Sequence, residues 1–486
     1  MKILEFKDIH KNTYIYNDDS GLILEADNEL ISIFQNETIN SDNISENTAY
    51  YIYFKNMLEN LCKQNKTKNI IFTDDYLKNY GLKQLTFKLT DDCNMRCKYC
   101  VYSSHYPNMS TYSKKKLSLD TAKKAIDIYM EYFMDNKNNS PLFRNEPTFT
   151  FFGGEPMLEF NLLKNIVLYI EKKYSMFNPL YTITTNGLCF NKYNSEFLKK
   201  HNFYISLSID GDKENHDRNR INIRGEETYD IIMNNVNKFF NNYKHIASAA
   251  CYDYNTDLIK MDNLVTKNVQ QPRLQKITLI NDNETTYYNQ FSADNEENTK
   301  KQIGKLINEY AKKLIAEEEP SILTEALIGT ELQALYDRIK FKNGHLFFSN
   351  NTSNCVPGSK LYVQVDGSFT ICERVAPFKE LIIGNVNDGI NIDYIKKLMD
   401  KYSKEVLVKC SKCPISNICN QCFANTNIKS GNFTIDKKYC EQRIDAFKLR
   451  FSILTYILQN NPNAFDFRYA KSYIQSNERN KIYETN

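Results

Sequence analysis

Three cysteines stand close together in the run Cys93-Asn94-Met95-Arg96-Cys97-Lys98-Tyr99-Cys100. Cysteine thiolates hold iron–sulfur cubes, and four of them close a [4Fe–4S] cluster. Three thiolates in one short loop leave one iron without a protein ligand, open to a small molecule. That open iron separates a reactive cluster from a carrier of electrons. Structural zinc fits the spacing less well. Zinc sites pair C-x2-C motifs, with a second pair roughly 12–20 residues on. The next cysteine after Cys100 is Cys189, so a zinc reading has to recruit His105.

Seven further cysteines lie between 355 and 440. Cys355 is followed by Gly367 and Cys372, then by Cys410-x2-Cys413-x5-Cys419-x2-Cys422, and finally by Cys440. Seven thiolates exceed one tetrahedral zinc and nearly suit two four-iron cubes. Two zinc sites built on the C-x2-C pairs are the competing reading. Cys251 sits in a strand pattern and reads as core. Cys189 follows a strand end, where it could approach the active face, but it too reads as core. His216 reads as a turn or supporting residue rather than a base. The first residues are charged where an export signal needs an apolar run, and 13 cysteines in such a chain point to metal in a reducing compartment. The expected location is cytoplasmic, and the protein should be oxygen-sensitive.

The elements that must position these thiols are legible between 82 and 282. Apolar strand-like runs at 85–89, 148–152, 181–185, 204–209, 247–252 and 277–280 alternate with helical patterns at 119–133, 162–174, 195–201, 229–240 and 257–267. Six β/α units in a row imply an α/β fold with a parallel sheet and right-handed crossovers. Chemistry in such folds gathers at the carboxyl ends of the strands. The cysteine loop follows the first strand. Gly153-Gly154-Glu155-Pro156 ends the second, Thr184-Thr185-Asn186-Gly187 the third, and Ser208-Ile209-Asp210-Gly211 the fourth, with His216-Asp217-Arg218-Asn219-Arg220 beyond. Paired glycines let backbone approach a ligand closely, and Glu155 can accept from an ammonium group.

The cysteine spacing, with Tyr99 before the last thiol, resembles the signature loop of radical S-adenosylmethionine (SAM) enzymes. The resemblance implies a partial (β/α)6 barrel over roughly 82–282, with SAM chelating the open iron. It also implies SAM contacts: Gly153, Gly154, Glu155 and Pro156 at the amino group, Ser208 and Asp210 near the ribose, and Arg220 at the carboxylate. Tyr99, Thr185 and Asn186 belong to the same implied pocket.

The later cysteines resemble a SPASM domain, with x2 in place of the usual x3 before Cys422. By that resemblance Cys410, Cys413, Cys419 and Cys440 hold a distal cluster. Cys355, Cys372 and Cys422 hold a nearer one, a ligand short. The vacancy is open to a substrate thiolate, to Cys189, Cys251 or Glu373, or to an exogenous thiol. The implied cofactors are SAM and three [4Fe–4S] clusters.

The order of parts is similar to that of sactipeptide and ranthipeptide maturases. These would join a cysteine sulfur to carbon in a precursor peptide, fed by an external flavodoxin- or ferredoxin-type electron donor. The competing readings are anaerobic sulfatase maturation to formylglycine, a carbon–carbon crosslinking maturase, and an iron–sulfur protein that only carries electrons or binds peptide. The sulfatase branch carries Asp where this chain has Glu373, which makes Glu373 the candidate catalytic residue.

Four regions follow. Residues 1–80 form a small α+β module, with a hairpin around Tyr14-Ile15-Tyr16 and Leu22-Ile23-Leu24 and a helix near 53–61. It either docks peptide at a strand edge or packs on the main domain. Residues 81–344 hold the barrel and a helical insertion, 345–445 the SPASM domain, and 446–486 a C-terminal helix and tail. A net charge of +3 with interspersed signs argues against nucleic acid. The chain lacks the roughly 18-residue apolar run of a membrane span.

Overall fold

Strand β4 (Gln84–Lys88) starts the sheet that carries the site. Leu85 and Phe87 point to the helices and are fully buried, while Thr86 and Lys88 point to the inner face. The structure, a computed structural model, describes residues 2–35, 47–64, 82–107, 109, 111–139, 146–267, 272–280, 285–340, 357–358, 360–375, 378–419, 421–429 and 431–466. Cys355 and the tail from 467 lie outside the described residues.

From β4 the sheet continues in parallel through β5 (Thr148–Phe152), β6 (Leu180–Thr185), β7 (Tyr204–Ser208), β8 (Ile246–Tyr252) and β9 (Arg273–Leu279). Helices α3 (Leu119–Asn139), α4 (Phe160–Lys173), α5 (Lys192–Lys200), α6 (Lys213–Asn219), α7 (Tyr229–Phe239) and α8 (Leu258–Lys267) connect them, in the expected β/α alternation. Their apolar stripes, such as Ala122, Ile126 and Tyr129 on α3 and Leu163, Ile166 and Ile170 on α4, close over one core. Phe87, Phe149, Phe151, Tyr181 and Phe203 make a run of stacked and tilted ring contacts there. β9 begins four residues before the expected 277, because Arg273–Lys276 is a polar edge-strand stretch that an apolar count skips.

The sheet does not stop at β4. β10 (Lys360–Val363) pairs parallel to it, Leu361 opposite Leu85, and β11 (Ser368–Thr370), β12 (Ile382–Asn385) and β13 (Gly389–Ile390) add on antiparallel. The Cys-rich region is thus built onto the barrel's own sheet edge. A hairpin, β14 (Asn427–Lys429) and β15 (Asn432–Thr434), stands apart.

The N-terminal meander β1 (Ile3–Lys7), β2 (Thr13–Asn17) and β3 (Ile23–Glu25) carries α1 (Asn28–Gln35) and α2 (Thr48–Gln64) on one face. Its other face, with Leu4, Phe6, Tyr14 and Tyr16, packs on α9 (Ala293–Ile315), α10 (Thr330–Lys340) and a C-terminal helix. That helix spans Lys437–Asn460, so it starts before the boundary expected at 446 and carries Cys440. Among the described residues no helix is long and apolar enough to cross a membrane.

Candidate active site

The cysteine loop is clamped from two sides. Gly154 N–H donates to the Thr90 carbonyl (2.8 Å) and Glu155 N–H to that of Asp92 (2.9 Å), tying the loop's start to the end of β5. The far side is held by the 219–222 run. Lys98 N–H reaches the Asn219 carbonyl (2.9 Å) and Arg96 N–H that of Ile221 (2.7 Å). Arg96 Nη1 donates to the Cys93 and Met95 carbonyls, and its guanidinium lies 4.0 Å from the Tyr112 ring. Cys93, Cys97 and Cys100 then line one cavity of about 350 Å³.

The glycine and carboxylate motif forms a second wall. A Cβ on Gly153 would sit 2.6 Å from the Thr90 carbonyl oxygen, and one on Gly154 would run into that of Asp92. Glu155 is 1% exposed and accepts from Thr185 Oγ1 (2.6 Å), Asn186 N–H (2.8 Å) and Met157 N–H (3.0 Å). Burial raises its carboxyl pKa above the ordinary 4.5, while these donors and the Arg220 charge pull it down. Asn186 Nδ2 donates to Asn94 Oδ1 (2.8 Å) and lies 3.9 Å from Cys93 Sγ.

Arg220 closes the third wall. Its Nε donates to Asp210 Oδ2 (3.0 Å) and its Nη1 lies 3.8 Å from Cys97 Sγ. Burial works against its charge, but Asp210, together with Tyr99, Cys97 and Cys251, more than offsets this and holds the guanidinium cationic. Asp210 also accepts from the Tyr99 hydroxyl and from Cys251 N–H (2.9 Å). Tyr99, Ser208 and Arg220 line the cavity with Gly153, Gly154, Glu155, Thr185 and Asn186. Asp210 instead stands behind the wall, its carboxylate used to orient Tyr99 and Arg220, and Pro156 starts the turn that follows Glu155.

His216 accepts from Asp210 N–H (3.3 Å) and contacts Thr228 Oγ1 (3.0 Å), whose hydroxyl donates to the Arg220 carbonyl (2.7 Å). Burial first, then the Arg220 charge, depress its pKa well below 6.5, so it supports Arg220 as a neutral ring. Burial also pushes the Cys97 thiol up to about 12 and raises Cys93. In the metal-free chain both carry protons that metal binding would displace.

Among the described residues no three His, Cys, Asp or Glu side chains converge on a single metal ion. A cube holds its thiolates around itself rather than at one point. The donors fit cluster and SAM together: three cavity-lining thiols, a buried carboxylate for an ammonium group, and a buried guanidinium for a carboxylate.

Residues 87–249 match the radical SAM superfamily. This segment is a radical SAM domain. The chain is 26% identical over 404 residues to a cysteine-type anaerobic sulfatase-maturating enzyme of Clostridium novyi, covering 78% of this chain and 97% of that protein. It is 25% identical over 225 residues to the radical SAM cyclopropyl synthase TigE of Paramaledivibacter caminithermalis, 44% of each chain. A solved structure of native anSMEcpe with bound AdoMet shares the fold, with a TM-score of 0.59 and 19% identity, covering 78% of this chain and 99% of that one. The chain carries a radical SAM domain and is homologous to a sulfatase-maturating enzyme and to a radical SAM cyclopropyl synthase.

Beyond the radical SAM domain the structure sorts the later thiols into two places. Cys372 follows β11, and the turn after it, Glu373–Val375, meets the turn Phe423–Asn425 that follows Cys422. Glu373, Arg374, Phe378 and Ala424 line the same cavity as the three loop thiols. Glu373 pairs with Lys360 (3.3 Å), so the candidate catalytic carboxylate already has a cation beside it. Cys410, Cys413, Cys419 and Cys440 gather elsewhere. Burial, then the proximity of the other three thiols, pushes Cys410 up to about 12. Cys189 takes a hydrogen bond from Asn94 (3.3 Å) and packs on the main core, while Cys251 belongs to the Tyr99–Asp210 network.

Sequence reasoning missed the aromatic wall and the anchor behind it. Tyr102 and Tyr112 line the cavity and face each other at 5.5 Å. Asp253, fully buried, receives Arg218, Asn219 and the Tyr287 hydroxyl (2.7 Å), fixing the run that clamps the loop. The tyrosines after Cys100 were a readable signal; Asp253 was one carboxylate among many.

Proposed function

We propose that this enzyme forms thioether crosslinks in a cysteine-containing precursor peptide. The observation that carries the reading is one cavity lined both by the barrel thiols and by residues flanking Cys372 and Cys422, so that two cysteine sites address one bound substrate. When bound, SAM and a reduced cluster would supply radical chemistry, the abstraction of a hydrogen atom from the substrate.

The chain's own residues do the rest. Glu155 receives the SAM ammonium, and Arg220, kept cationic by Asp210, receives its carboxylate. Tyr99, held by Asp210, walls the nucleoside. Phe378, Ile428, Val101 and Met109 exclude water over the substrate side. Cys372, Cys422 and Cys355 are the residues that would hold the nearer cluster, and the distal four the other. An external flavodoxin- or ferredoxin-type protein would supply electrons. The short β3 edge would take the peptide's leader as an added strand.

Formylglycine formation is the second reading. The similarity across 97% of a cysteine-type sulfatase maturase favours it, and the fold is shared with anSMEcpe solved with bound AdoMet and Kp18Cys peptide. Mass spectrometry of the peptide encoded beside this gene, and of a sulfatase-type Cys peptide, decides between them. A product lighter by the hydrogens of one S–H and one C–H supports crosslinking; an aldehyde supports sulfatase maturation. Cys97→Ala should yield no 5′-deoxyadenosine with either peptide.

A further inference from the structure

The four distal thiols ride on two separate segments. Cys410 ends the short helical segment Val408–Cys410, Cys413 and Cys419 lie on the loop that follows it, and Cys440 lies on the C-terminal helix. A third segment, from the other end of the chain, lies across both. Tyr16 of β2 stacks on Phe451 of that helix at 4.4 Å, and Phe6 of β1 lies 5.6 Å from the same ring. Ile415 of the loop joins the same apolar cluster, with Cys413 and Cys419 packed against it.

At the turn after β2, Asp18 is fully buried. Its carboxylate accepts from Ser416 Oγ (2.8 Å), Asn417 N–H (3.0 Å) and Lys2 Nζ (3.1 Å). Its carbonyl accepts from Asn417 Nδ2 (2.9 Å) and from Arg338 Nη2 of α10 (2.8 Å). Lys2 Nζ also donates to Ser416 Oγ (2.6 Å). A turn in a small meander needs no buried charge, and burying one is costly unless it is fully paired. Here two of the partners sit in the middle of the Cys413-x5-Cys419 loop.

We propose that the N-terminal sheet is a structural member of the distal cysteine site, and that Asp18 is the positioning residue that holds the Cys413-x5-Cys419 loop in place against Cys440. The proposal rests on reading those four thiols as one iron–sulfur ligand set. It also changes what removal of residues 1–80 would test: such a truncation strips the distal site as well as any leader-binding edge.

The test uses the full chain with Asp18→Ala, Asp18→Asn and Ser416→Ala. In metal-free protein, alkylation of each cysteine is followed by mass spectrometry; iron is counted after anaerobic reconstitution. Asp18→Ala should speed alkylation of Cys413 and Cys419 by about fivefold or more, the scale of one lost hydrogen bond. Cys93, Cys97 and Cys100 should react as in wild type, and the iron count should fall by about four per chain. Asp18→Asn, which keeps an acceptor for Asn417, should lie between, and Ser416→Ala should shift the same two thiols less. Wild-type alkylation and iron in a folded Asp18→Ala protein overturn the proposal. If that variant does not fold, wild-type values in Ser416→Ala overturn it instead. Wild-type protein that takes up only the barrel's iron would sink the ligand-set reading, while the alkylation comparison still tests Asp18's hold on the loop.

Discussion

A carboxylate that is 1% exposed and has only neutral donors in hydrogen-bond contact awaits a positive partner. Glu155 is that group, and its raised pKa sets a pH dependence. An ammonium ligand needs the ionised form. Burial moves the protonation of Glu155 to higher pH, so SAM affinity should fall on acidification earlier than an ordinary glutamate, near 4.5, would dictate. Glu155→Gln removes both charge and titration. SAM binding followed by equilibrium dialysis should weaken roughly 10–100-fold at neutral pH, the range of a charge-assisted hydrogen bond, and lose this acid limb. An unchanged acid limb in the variant would assign it to another group. Glu155 and Arg220 were legible because they sit at fixed places after strands. Asp18 was not: in Asn17-Asp18-Asp19-Ser20-Gly21 it reads as one more turn former, and only the fold brings Ser416 and Asn417 to it.

Strands β4 to β8 were legible because each is a short apolar run bounded by turn residues, and their order alone put every motif at one end of the sheet. The close approach of the β5 end to the cysteine loop was legible only as two glycines. Its physical content is the backbone contact. Gly153 has φ +149, and the Cβ of Gly154→Ala would collide with the Asp92 carbonyl oxygen, a neighbour that cannot swing away as a side chain would. Gly154→Ala should therefore cost about 2–3 kcal/mol, as overpacking does, and displace Cys93 from its place. The thermal midpoint should drop, and the reconstituted variant should lose the barrel cluster's absorbance while keeping that of the C-terminal thiols. Full barrel-cluster occupancy would show that the loop can yield. β10 was illegible for the opposite reason. Lys360–Val363 is too short to stand out, and its partner β4 lies far back in the sequence, so no local pattern announces the pairing.

At the scale of the whole molecule, the β10–β4 pairing makes barrel and auxiliary region one continuous sheet, and this puts Cys372 near the barrel's cavity. Cys372 follows β11, the strand next to β10, and the residues after it line that cavity together with the three loop thiols. The two sites should therefore be separable by mutation even if, as proposed, they act on one substrate. Cys372→Ala leaves the loop, Glu155 and Arg220 untouched, so SAM cleavage should persist and 5′-deoxyadenosine should form at near wild-type rate. On the proposed reading, peptide modification should fall by at least about a hundredfold, because a substrate thiol would lose both a metal to hold it deprotonated and an electron acceptor beside it. Both products are read from one anaerobic reaction by liquid chromatography and mass spectrometry. Parallel loss of the two would mean that the nearer site props up the barrel. Retention of both would mean that the cavity's auxiliary wall only shapes the substrate, and that the chemistry rests on the cysteine loop alone.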